Sequence, residues 1–185
     1  MPGVGTGPLP STAVLEFWRA AGPGKWFAKD DAFDEAFRAR FLGVHEAVAV
    51  AYDPSWLADA GTALSLVLLL DQFPRNCFRD SPRMYASDDK AQVAADAAIA
   101  AGHHLKVEPE LRVFFSLPFT HAEDLASQER GVAFATPVGG EALKAAKEHR
   151  DIIKRFGRFP HRNEILGRAS TDDEKAFLAA GGFAG

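Results

Sequence analysis

The stretch DDAFDEAFRARFLGVHEAV, Asp30 to Val48, decides the fold class. Phe33, Phe37, Phe41 and then Val44 or Val48 recur at three- and four-residue spacing, the stripe of a helix that buries one face. Asp30 and Asp31 suit a helix start, and Pro54 is expected to end the helix. The next apolar run, GTALSLVLLLD from Gly61 to Asp71, is apolar nearly all round, which places that helix at the centre of the packing. No period-2 stretch is long enough to build a sheet.

Working outward, helix signals alternate with Pro/Gly turns. Ser11 or Thr12 can cap a first helix through Leu15, Phe17 and Trp18, stopped at Gly22-Pro23-Gly24. Ser87 with Asp88 and Asp89 opens an alanine-rich helix, Ala91 to Ala101, closed by Gly102. Thr120-x-x-Glu123 and Thr171-x-x-Glu174 both fit the capping box, which predicts helices starting at 121 and 172. A further helix runs from Glu141 to Phe156, with Leu143, Ala146, Ile152, Ile153 and Phe156 on its buried side. The expectation is an all-α chain of about seven helices, arranged as antiparallel pairs in an α-solenoid or as an irregular bundle. Residues 1–10 form a Gly/Pro-rich flexible arm, and residues 11–185 form a single domain.

Composition narrows the function classes. A net charge of −4 argues against a dedicated nucleic-acid binder. The opening residues carry no secretory pattern, and the run around Leu66 to Leu70 is too short to cross a bilayer. Cys77 is the only cysteine, which excludes an intramolecular disulfide or a multi-thiolate metal site and fits a cytoplasmic protein.

Two segments carry the unusual chemistry. In LLLDQFPRNCFRDSPRMYASD, Leu68 to Asp88, Asp71 sits at the C-terminal end of an apolar helix, where the helix dipole and burial both disfavour its charge. It requires a partner, and Arg75, Arg79, Arg158 and Arg162 are the available cations. Pro74 is expected to force the chain out of the helix, leaving carbonyls for Gln72, Arg75 and Asn76 to satisfy. In Lys147 to Arg168, seven cations face three carboxylates in an otherwise acidic chain, which suggests an anionic partner. Both segments place Phe-Pro and then Arg-Asn after an apolar helix: Phe73-Pro74-Arg75-Asn76 and Phe159-Pro160-His161-Arg162-Asn163.

His121, His149 or His161 beside Asp71 could supply an acid–base pair. The spacing shows no metal motif, no phosphate loop and no sign of a cofactor, and Cys77 reads as a half-buried or buried thiol rather than a nucleophile.

The blocks LDQFPRNCFR, PFTHAEDLASQE and HRDIIKRFGRFPHRNEILGRASTDDEKAFL, with the opening VLEFWRAAGPGKWFAKDDAFD, resemble a bacterial family, domain-of-unknown-function family 924, from Val14 to Phe183. The resemblance implies a tetratricopeptide-like, all-helical fold and no established reaction. It also implies polar residues at Asp71, Gln72, Arg75, Asn76, Arg79, His121, Glu123, Asp124, Gln128, His149, Arg158, His161, Arg162, Asn163 and Arg168, and an aliphatic residue where Cys77 stands.

Three functions follow as expectations. The first is a module that binds an anionic small molecule or acidic peptide through Gln72, Arg75, Asn76, Arg79, Arg158, Arg162 and Asn163. The second is a hydrolase or lyase of an acidic metabolite, in which Asp71 with His121, His149 or His161 transfers the proton. The third makes the polar blocks a network that docks the two Phe-Pro segments together. Oligomeric state is not legible.

Overall fold

The computed structural model describes residues 11–184; the N-terminal arm expected at 1–10 lies outside the described residues. The described chain is helical, with no strand. Its helices are α1 (Ala13–Ala21), α2 (Pro23–Trp26), α3 (Asp31–Val50), α4 (Ala60–Val67), α5 (Phe73–Cys77), α6 (Asp88–Ala100), α7 (Val113–Thr120), α8 (Leu125–Ala135), α9 (Gly140–Phe156) and α10 (Asp172–Ala179), joined by short 3₁₀ turns.

Local chemistry sets most boundaries. Asp30 caps α3 by accepting from Phe33 N at 2.9 Å. Gly102, in the left-handed region at φ 72°, ends α6 as expected. Thr171 and Glu174 close the capping box that starts α10. The Thr120-x-x-Glu123 box is not formed. Thr120 is instead the last residue of α7, and Asp124 caps α8 by accepting from Ser127 N at 2.8 Å. Glu123 is thereby free to reach the C-terminal segment.

The central helix corrects a second expectation. It does not end before Pro74: α4 passes through a π-helical turn, Leu68–Gln72, straight into α5, and Phe73 keeps helical angles. Pro74 brings no N–H and a bulky ring, which an ordinary α-turn accommodates poorly. The wider π-turn makes room for the ring, with Phe73 N bonding five residues back to Leu68 O. The carbonyls left over find partners outside the helix: Leu70 O accepts from Ser87 Oγ at 2.6 Å, and Leu69 O is bonded to His45 Nδ1 at 2.9 Å. The π-turn is thus held open by side chains of α3 and of the start of α6.

This composite helix is surrounded by α1, α3, α6 and α7, and Ala63 through Leu70 are buried. An aromatic cluster of Trp18, Phe33, Phe37, Phe73 and Phe114 packs around it, with Phe37 and Phe73 5.0 Å apart edge to face. Beyond it α6, α7, α8 and α9 stack in chain order. Gly131 permits the α7–α8 approach, because a Cβ there would lie 2.9 Å from Thr120 Oγ1. A small second core of Ile152, Ile153 and Phe159 anchors the C-terminal segment.

Candidate functional site

The π-turn presents Asp71 sideways from the core helix, 1% exposed. Its Oδ1 is bonded to His121 Nδ1 at 2.7 Å and lies 3.3 Å from Arg75 Nη1, while Oδ2 accepts from Gln72 Nε2 at 2.7 Å. Burial alone would push this carboxyl up. Arg75, His121 and the Gln72 bond reverse that effect and hold Asp71 well below the usual carboxylate range. Arg75 also donates to Asp71 O at 2.9 Å, fixing the turn that carries the carboxylate.

Because Asp71 is ionised, its oxygen accepts, and the proton of the shared bond sits on His121 Nδ1. Burial and the neighbouring Arg75 shift His121 down from its ordinary value, so the ring is neutral at pH 7 with its lone pair on Nε2. Nε2 has no hydrogen-bond partner among the described residues. The backbone that carries the ring is fixed: Arg162 Nη2 donates to His121 O at 2.9 Å, and Gln128 Nε2 donates to Thr120 O and Ala122 O at 2.6 and 2.8 Å.

His121 borders two cavities. The larger, about 1280 Å³, runs between α7 and α9 and is mostly apolar; Gln72, Arg75, Asn76, Arg79, His121 and His149 gather on its wall. The smaller, about 470 Å³, is lined by Tyr85, Asp88, Glu123 and Arg162 among others. A concave site with few convergent polar groups and shifted titratable residues is where chemistry is expected.

The sequence-derived arginines do not form one cluster. Arg75 forks onto Asp88 at 2.8 and 3.0 Å, and Arg162 reaches the same carboxylate at 3.4 Å, so the two Phe-Pro segments do meet, through Asp88. Tyr85 lies under both guanidiniums, 4.4 Å from that of Arg162. Arg79 and Asn76 are instead bonded to Asp34 of α3, each at 2.8 Å. Arg158 forks onto Glu174 at 2.7 and 2.9 Å, and Asn163 bonds the same carboxylate at 3.2 Å. Every one of these four cations therefore already has a carboxylate partner.

Of the three candidate histidines, only His121 touches Asp71. His149 shares the large cavity, but its Nδ1 is bonded to Ala145 O at 2.7 Å, and burial pushes its pKa down to about 4. His161 packs against Phe183 and Phe159 in the second core, and burial with Arg162 nearby takes it to about 4. Cys77 is buried beside Asp34 O, and burial raises its thiol to about 12, an inert group. Among the described residues no three His, Cys, Asp or Glu side chains group as a metal site, and no helix is long and apolar enough to cross a membrane.

The model of a family described as bacterial protein of unknown function (DUF924) matches residues 14–182. The chain belongs to that family. A solved structure of the DUF924 chain's likeness, the protein of unknown function ATU0120 from Agrobacterium tumefaciens, is 52% identical, covers 92% of this chain and 97% of its own, and superposes with a TM-score of 0.90. No curated protein matches. In this DUF924 chain, the residues that sequence reasoning missed are Asp88, read only as a helix start, Tyr85, Asp34 and Arg112. Arg112 stands alone before an apolar helix, with no pattern to mark it; the structure puts it on the wall of the large cavity.

Proposed function

We propose that this chain is an acid–base enzyme of the hydrolase or lyase type, acting on an acidic metabolite, with His121 as the proton-transferring group. The observation that carries this reading is the 2.7 Å bond between Asp71 Oδ1 and His121 Nδ1 on a cavity wall, with Nε2 left unpartnered. A carboxylate behind an imidazole fixes the tautomer and stabilises the imidazolium formed when Nε2 takes a proton. The proton would come from an attacking water in hydrolysis or from a carbon next to a carboxyl group in elimination, and would be returned to the leaving group. Arg75 and Gln72 hold Asp71 ionised and in place.

The alternative of a binding module working through Arg75, Arg79, Arg158 and Arg162 draws less support, because each guanidinium is neutralised within the fold. The network reading fits the residues around Glu174 better than those around Asp71. A cytoplasmic location, and the finer description of the α6–α9 stack as tetratricopeptide-like helix pairs, belong to the same proposal; the sequential packing of α6, α7, α8 and α9 supports the latter.

The test compares the protein with His121→Asn on a panel of carboxylate-bearing chromogenic esters, amides and β-substituted acids. At least one compound should be turned over, with a rate about 10²–10⁴-fold lower in the variant. A panel on which protein and variant perform equally would end the proposal.

A further inference from the structure

The large cavity is built along one face of α7. Val113, Ser116, Leu117, Thr120 and His121 all line it, at the three- and four-residue steps that put side chains on one side of a helix. Across from them α9 contributes Ala142, Ala145 and Ala146, whose small side chains leave the space open. Phe27, Leu105 and Val138, three of the large apolar side chains that stand exposed, rim the same cavity. Apolar side chains held in water around a concave apolar wall mark a surface shaped for an apolar ligand.

At the end away from His121 stands Arg112. Nine residues separate the two, about 13 Å along a helix. The Arg112 side chain makes no hydrogen bond or ion pair among the described residues, and its Nε is buried without a partner. His104 Nδ1, on the same wall, is likewise buried and unpartnered. The exposed Glu110 lies on this rim and forms no ion pair with Arg112. Arg112 thus differs from Arg75, Arg79, Arg158 and Arg162, whose forks are filled by carboxylates of the fold. A guanidinium with donors to spare at the end of an apolar trough has charge complementarity for a carboxylate that arrives on an apolar body.

We propose that the substrate is an amphipathic carboxylate: Arg112 holds its terminal carboxylate, its apolar body lies along α7, and its reacting group is presented to His121. This rests on the Asp71–His121 reading for the reacting end only. Small polar anions lack the apolar body that the trough receives, and uncharged chains lack the group that Arg112 binds.

Calorimetric titration with decanoate, decan-1-ol and acetate, on the protein and on Arg112→Met, Arg112→Lys, Ala145→Trp and His121→Asn, tests it. Decanoate should bind the protein about ten- to a hundredfold more tightly than decan-1-ol, and acetate should not bind. Arg112→Met should bind decanoate no better than decan-1-ol, and Arg112→Lys should restore part of the preference in a variant that keeps the charge. Ala145→Trp, which fills the trough, should lose both chains, whereas His121→Asn should bind decanoate as the protein does. Equal binding of acid and alcohol by the protein, an Arg112→Met variant that keeps its preference, or no binding of decanoate overturns the proposal. Because decanoate binding does not require His121, failure here is separable from failure of the acid–base reading, which shows only in turnover.

Discussion

The two Phe-Pro segments carry nearly the same residues and leave different things over. Around Phe73–Pro74, Asp71 gathers Arg75, Gln72 and His121, and one nitrogen, His121 Nε2, remains unpartnered on a cavity wall. Around Phe159–Pro160 the carboxylates are filled from within the fold, although His161 Nδ1 and Arg162 Nε are buried there without a partner among the described residues. Arg168 forks onto Glu123 at 2.6 and 2.9 Å, Glu123 also accepts from Phe159 N at 2.7 Å, and Glu174 takes Arg158, Asn163 and Thr171 N. Carboxylates filled in this way hold a chain segment down; an unfilled lone pair beside a cavity can act on something else. The second segment still serves the first, since Arg162 crosses over to Asp88 and to His121 O.

The comparison can be broken first at Asp71. Asp71→Ala strips the buried Arg75 and His121 of a partner and should lower unfolding stability by about 3–5 kcal/mol, measured by urea denaturation. A loss below about 1 kcal/mol would place this carboxylate on a par with an exposed ion pair. Gly131→Ala should cost about 1–3 kcal/mol, because the new methyl group must push back Thr120, the residue before His121. Thr171→Ala, which opens the α10 capping box in the second segment, should cost about 1 kcal/mol and leave any turnover by His121 unchanged. A turnover defect in that variant would mean that the two segments are coupled more tightly than Arg162 alone provides.

A further effect vanishes at neutral pH. His149 and His161 have folded pKa values near 4, below an unfolded value of about 6.5. Between those values the unfolded chain binds protons that the folded chain refuses, so stability falls as pH drops from 6.5 towards 4. Replacing both with Asn should flatten that limb of the stability curve. Glu174, held at about 2 by its bond to Arg158, contributes to a second limb: its contribution is intact above the unfolded value near 4.5 and is lost as pH falls towards 2. Glu174→Gln should remove its own share of this lower limb and leave the share of Asp71 and Glu123.

What the sequence made legible was local. The Phe33–Phe37–Phe41 stripe, the Asp30 cap, Gly102 and the Thr171 box each depend on residues within a turn or two, and all appear where the spacing puts them. Asp71's need for a cation was also legible, and Arg75, one helical turn on, supplies it. His121 lies 50 residues away, a pairing that no spacing rule reaches. Thr120 and Glu123 fitted a cap that the tertiary structure overrode, since the demands of Phe159 N and Arg168 on Glu123 are met only once the C-terminal segment docks. Pro74 was misleading because the rule for the residue before proline is a preference that Phe73, at helical angles, does not follow, while the π-turn spares the proline ring the carbonyl it would meet in an ordinary α-turn.

The π-turn also separates two kinds of genetic change. It is in effect one extra residue wound into a helix. Substitutions along Leu68–Leu70 would be felt in the core, while the loss of a single residue there would close the π-turn to an ordinary α-turn, in which the ring of Pro74 meets the clash that the wider turn avoids. A one-codon deletion would therefore disturb the turn that presents Asp71 without removing any residue of the site.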